Sequence, residues 1–159
     1  MSASAPTRLP ASLRLPARLE SLPRLRELAV GAAVALGLGP EWIGKVDLAL
    51  EEAVVNIARH AYHPPPSEGG RGDVELSCEE HEGGLRLTLR DWGVAFNPVV
   101  AGPLATPDPD LEADLVANLE ADLEHRAPGG MGLFLIRSLA KAGYSRQDEA
   151  NVLTLDFRP

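Results

Sequence analysis

Asp47-Leu-Ala-Leu-Glu-Glu-Ala-Val-Val-Asn-Ile-Ala-Arg-His-Ala-Tyr62 is the stretch whose reading decides the fold. With Val46 just ahead, Leu50, Ala53, Ile57 and Ala61 recur every three or four residues, the apolar stripe of an amphipathic helix. Glu52 and Asn56 stand four apart and stack on one face, roughly opposite that stripe, with Arg59 and His63 near the same face. A carboxylate one turn ahead of a carboxamide can be a solvated face and nothing more, or it can do chemistry. Asp91-Trp-Gly93 and Gly129-Gly-Met-Gly132, further along, bear on that choice.

Working outward, Ser12-Leu-Arg-Leu15 alternates between prolines and reads as a short edge strand. Ser21-Leu-Pro23 opens a helix that runs to about Leu36, where Gly37, Gly39 and Pro40 stop it. Glu41 opens the helix quoted above, and Pro64-Pro-Pro66 ends it near Tyr62. Asp73 to Glu79 and Leu85 to Asp91 alternate as an antiparallel hairpin, with Val74, Leu76 and Cys78 on one face and Leu85, Leu87 and Leu89 likewise. Cys78 is then a small core residue rather than a reactive thiol.

Residues 98–128 hold scattered prolines and an acidic stretch with leucines four apart, expected to be a lid or a tolerated surface insertion. A helix from Gly132 to Ala142, with Gly143 as its C-cap, is expected to follow. The chain closes in a hairpin turning at Glu149-Ala150, with Val152, Leu153, Leu155 and Phe157 available to the core. Helices do not alternate one for one with strands. The expectation is therefore an α/β (α+β) two-layer sandwich, a mainly antiparallel sheet with helices on one face. Residues 1–10 are expected to be a disordered lead-in to one domain spanning 11–159.

Composition narrows the function. The chain has 159 residues, enough for a core without metal or disulfides, and a formal net charge of -8. That charge argues against nucleic acid or an anionic membrane surface as main partner. A single cysteine and the lack of an apolar leader or span fit a cytoplasmic setting.

Asp91-Trp-Gly-Val-Ala-Phe-Asn-Pro98 lies where a strand gives way to a loop. Its carboxylate can accept a hydrogen bond from an exocyclic amine, and Gly93 lets a flat ring approach the backbone. Equally, Asp91 can cap a turn in which Gly93 supplies a positive φ. Gly129-Gly-Met-Gly-Leu-Phe-Leu-Ile-Arg137 is a glycine-rich loop opening a helix, a natural phosphate seat or a hinge.

Taken in order, Glu-x-x-x-Asn on a helix, Asp-x-Gly after a strand and Gly-x-Gly at the next helix resemble the N, G1 and G2 boxes of the GHKL (histidine-kinase-like) ATPase family. Leu-Ala-Leu-Glu-Glu-Ala-Val-Val-Asn-Ile-Ala-Arg-His-Ala-Tyr62 with Gly-Gly-Met-Gly-Leu-Phe-Leu-Ile-Arg137 looks like its anti-sigma-factor serine/threonine kinases. The resemblance implies ATP and Mg²⁺ as ligands, with Asn56 holding the Mg²⁺ and Glu52 acting as general base. It implies Asp91 on the adenine amino group with Gly93 against the ring, Gly130 and Gly132 over the phosphates, and Thr154 near adenine. Its implied partners are a sigma factor and an anti-anti-sigma protein of STAS type, whose serine is phosphorylated, and a second copy of the chain as a homodimer. The alternative is a nucleotide-gated partner-switch protein without kinase activity. His60 falls in the family's His-x-Tyr ending, which explains it better than a metal site does. The chain departs from the family pattern at Ala95, where the G1 box has its second glycine, and in the acidity of residues 108–124.

Overall fold

The computed structural model describes residues 8–95, 136 and 138–159. The elements run β1 (Ala11–Pro16), α1 (Leu22–Ala35), α2 (Pro40–His60), β2 (Asp73–His81), β3 (Gly84–Asp91), β4 (Lys141–Gln147) and β5 (Ala150–Phe157). The five strands form one sheet in the order β1-β2-β3-β5-β4, and every neighbouring pair is antiparallel. The expected two-layer architecture is the one observed, with β1 at an edge.

Strand parity decides which side is covered. Leu13 and Leu15 of β1, Val74, Leu76 and Cys78 of β2, Leu85, Leu87 and Leu89 of β3, and Leu153, Leu155 and Phe157 of β5 all join one core with the helices. Into it α1 sends Leu25, Ala29 and Ala32, and α2 sends Val46, Leu50, Ala53 and Ile57. Cys78 is fully buried, which pushes its thiol up to about 12 and leaves it a packing residue. The other face of the sheet carries cross-strand ion pairs, Arg86 with Asp156 at 2.7 Å and Arg14 with Asp73 at 3.0 Å. Among the described residues, no helix is long and apolar enough to cross a membrane.

Both hairpins close through two residues at positive φ, Glu82 (49°) with Gly83 (81°) and Asp148 (50°) with Glu149 (67°). That is the handedness the sheet's own twist demands. The closing turn is therefore Asp148-Glu149, not Glu149-Ala150, and Ala150 pairs with Gln147. Gly143 is no helix cap either. It lies inside β4, which starts at Lys141, and it pairs with Thr154. Ile136, Ser138 and Leu139 are helical, so part of the helix expected over 132–142 is present, and it gives way to the strand earlier than the sequence suggests. Val152 sits on the parity opposite Leu153, on the ion-paired face rather than in the helix-covered core. The expected lid at 98–128 lies outside the described residues, as do residues 1–7 of the lead-in expected over 1–10.

Candidate functional site

The C-terminal end of α2 is fastened to the chain where it leaves β3. Val94 donates its N–H to the Ala61 carbonyl at 2.9 Å. The Tyr62 hydroxyl accepts from the Trp92 N–H at 2.9 Å and donates to the Asp73 carbonyl at 2.5 Å. Burial is the main cause that raises the Tyr62 hydroxyl above its ordinary value, consistent with its role as a structural tie. Gly93 completes the junction. A Cβ there would stand 2.1 Å from the Ala61 carbonyl oxygen, so this glycine is required by protein packing, whatever it offers a ligand. Gly93→Ala is expected to lower stability by about 1–3 kcal/mol, the usual range for overpacking, seen as a drop in melting temperature. An unchanged transition would mean the junction yields freely.

Beside this junction opens a cavity of about 110 Å³, its walls mostly apolar and including Ile57, Val94, Ile136 and Leu153. Five polar side chains border it: Asn56, His60, Asp91, Tyr144 and Asn151. Its size and lining suit a planar ring better than a charged group.

Asp91 is 6% exposed and is the charge in this wall. Its Oδ1 accepts from the Gly93 N–H at 3.0 Å and from Asn151 Nδ2 at 2.9 Å. Burial raises its carboxyl above the ordinary value, and the two hydrogen bonds and the Arg146 charge pull the other way. Both hydrogen bonds end on Oδ1, so Oδ2 is the atom that would meet an amine in the cavity. The two readings of this triplet thus coexist in part. Asp91 does cap its own turn, but Gly93 is absent from the positive-φ glycines and serves close packing instead.

Asn151 organises the wall. Its Nδ2 also donates to the Val94 carbonyl at 2.7 Å, while its Oδ1 accepts from the Tyr144 hydroxyl at 2.7 Å and Arg146 at 3.0 Å. Arg146 further donates to the Gly93 carbonyl at 3.0 Å. Asp91 and Asn151 are cross-strand partners on β3 and β5. This network was missed in the sequence, where Thr154 was the residue expected near the ring. Thr154 sits on the opposite parity, faces away from the cavity and donates to the Gly143 carbonyl at 3.4 Å. The signal available was an asparagine on the apolar parity of its strand, in line with Leu153, Leu155 and Phe157.

Glu52 and Asn56 also need a correction. Glu52 is only 5% exposed, so the face they share is no solvated one opposite the core. At roughly 100° per residue the two lie about 120° from the centre of the apolar stripe, on its flank. Asn56 borders the cavity, and its Nδ2 is buried with no hydrogen-bond partner among the described residues. Such an orphan in an otherwise satisfied wall points to a ligand. As it stands the amide can donate to a phosphate oxygen; turned over, its Oδ1 can bind a hard cation. Glu52 lies one turn before it and does not border the cavity. Gly130 and Gly132 fall outside the described residues.

The cavity thus sets one buried carboxylate, Asp91, and one orphan carboxamide, Asn56, in a mostly apolar wall. Residues 15–157 match the histidine kinase-like ATPase domain, and the chain belongs to that family. It is similar to the serine-protein kinase RsbW of Bacillus mycoides (strain KBAB4), 25% identical over 127 residues, covering 80% of this chain and 71% of that protein. It is also similar to the serine-protein kinase RsbW of Bacillus thuringiensis (strain Al Hakam), 26% identical over 131 residues with the same coverage.

Proposed function

We propose that this protein is an anti-sigma regulatory factor with serine/threonine kinase activity, which binds Mg·ATP and phosphorylates an anti-anti-sigma partner of STAS type. The observation that carries the nucleotide part is the pairing of buried Asp91, held on Oδ1 by Asn151, with the unpartnered amide of Asn56 in one cavity. Adenine's exocyclic amine would donate to Asp91 Oδ2, and the apolar walls would cover the ring faces. The residues present fit the implied cation: Asn56 supplies a neutral oxygen, suited to a site where the phosphates bring the negative charge. When bound, Mg²⁺ would offset charge on the phosphate oxygens. Glu52, one turn away, would accept the proton of the attacking serine hydroxyl. The kinase part rests on the resemblance to serine-protein kinases, with Glu52, a buried carboxylate one helical turn from Asn56, as the base we assign to it. We place Gly130 and Gly132 over the phosphates and treat residues 11–159 as one domain with a lid at about 98–128.

Incubation with γ-labelled ATP and a STAS-domain protein tests this reading. Label on a partner serine is the expected result. Tight, nucleotide-dependent binding without label would instead make the chain a partner switch that does not phosphorylate.

A further inference from the structure

Asp91 borders the cavity, and its neighbour Trp92 borders a separate concavity of about 470 Å³, lined also by Arg14, Arg18, Tyr62, Pro66 and Arg71. Three arginines and one carboxylate, Asp73, line it, a local excess of positive charge on a chain whose net charge is -8. Arg14 is compensated by Asp73 at 3.0 Å, whereas Arg18 and Arg71 have no carboxylate partner among the described residues. We propose that this groove docks an acidic, extended segment of a partner protein.

The groove is built rather than accidental. The Arg14 guanidinium lies 4.0 Å from the centre of the Trp92 ring, which fixes both. Arg71 projects from a backbone pinned on both sides. Gly70 donates to the Pro65 carbonyl at 2.9 Å, and the Gly72 carbonyl accepts from the Ala17 N–H at 2.9 Å. The Tyr62 ring fills the space a Cβ on Gly72 would need, 2.3 Å away. A fixed backbone at Arg71 and a held guanidinium at Arg14 lower the ordering cost of binding a carboxylate here.

Charge and shape choose the occupant. Nucleic acid carries a charge on every nucleotide against a chain of net charge -8, whereas a peptide can concentrate its carboxylates at Arg18 and Arg71. The half-buried Trp92 and Tyr62 add aromatic surface to the same groove, which an inorganic anion could not use. A peptide with carboxylates spaced by apolar residues uses both. This surface stands apart from the nucleotide cavity, and the proposal does not depend on the kinase reading.

The test is fluorescence anisotropy of fluorescein-labelled Glu-Glu-Leu-Glu-Glu-Leu-Glu with the full chain, at low ionic strength and without nucleotide. Arg71→Glu and Arg18→Glu are each expected to weaken binding about tenfold, as for a charge lost from a complementary contact. Arg24→Glu, an equal charge change at an exposed position on α1, is expected to alter it less than about twofold. Equal losses in all three variants, or no binding by the unaltered chain, would overturn the proposal. Displacement of the peptide by orthophosphate at matched ionic strength would overturn it too, by showing a small-anion site.

Discussion

Glu52→Gln is expected to leave Mg·ATP affinity within about twofold of the parent while phosphoryl transfer falls by about 10²–10⁴, the span general bases contribute. The amide matches the carboxylate in size and keeps its hydrogen-bonding reach, so the packing of α2 around this position is kept. What it loses is the ability to take a proton from the serine hydroxyl. The prediction separates two roles that burial alone does not. Glu52 is 5% exposed, and a buried carboxylate can hold a helix in place as readily as it can accept a proton. Single-turnover transfer from γ-labelled ATP, alongside calorimetric affinity, distinguishes them. Equal losses in binding and transfer, with a lowered melting temperature, would assign Glu52 to structure.

Asp91→Asn is expected to act in the opposite direction on two observables. ATP affinity should fall about tenfold to a hundredfold, the value of a hydrogen bond to a charged group. Stability of the unliganded protein should rise. The sign follows from the raised Asp91 carboxyl, for which burial is the leading cause. Above the ordinary carboxylate range the unfolded chain holds Asp91 ionised, while the folded chain resists ionisation, so the folded state binds more protons and stability falls as pH rises. This loss sets in as pH climbs from the ordinary value of 3.8 through the raised native one and persists at neutral pH. A neutral asparagine removes that cost and can still accept from Gly93 and Asn151 through its own oxygen. Melting curves from pH 4 to pH 8, with and without ATP, check both arms. A variant that melts lower at neutral pH, or binds ATP as the parent does, would contradict the assignment.

Legibility of this chain from sequence followed the length scale of each interaction. The α2 stripe and the alternation of β2 and β3 are local patterns, and they placed Val46, Leu50, Leu76 and Leu87 in the core correctly. Asp91 could be singled out because it sits at a strand exit two residues before a glycine. Asn151 could not be tied to it, because nothing local says that β5 lies beside β3 in register. Thr154, which the family resemblance implies near adenine, lies on the opposite parity of β5 and faces away from the cavity. Glu52 was misplaced because a wheel shows angle from the stripe, while burial depends on what covers the flank. The closing turn was displaced by a residue because Asp148 and Glu149, both at positive φ, lack the glycine or asparagine that usually marks such a turn.

Calorimetric titration of the full chain with Mg·ATP and with Mg·GTP tests the central claim most directly. A carboxylate whose free oxygen meets the purine's C6 substituent accepts from the adenine amine and repels the guanine carbonyl. Saturable one-to-one binding of Mg·ATP, with Mg·GTP weaker by at least about tenfold, is the predicted result. Equal affinity for both nucleotides, or heats of dilution alone for ATP, would contradict it.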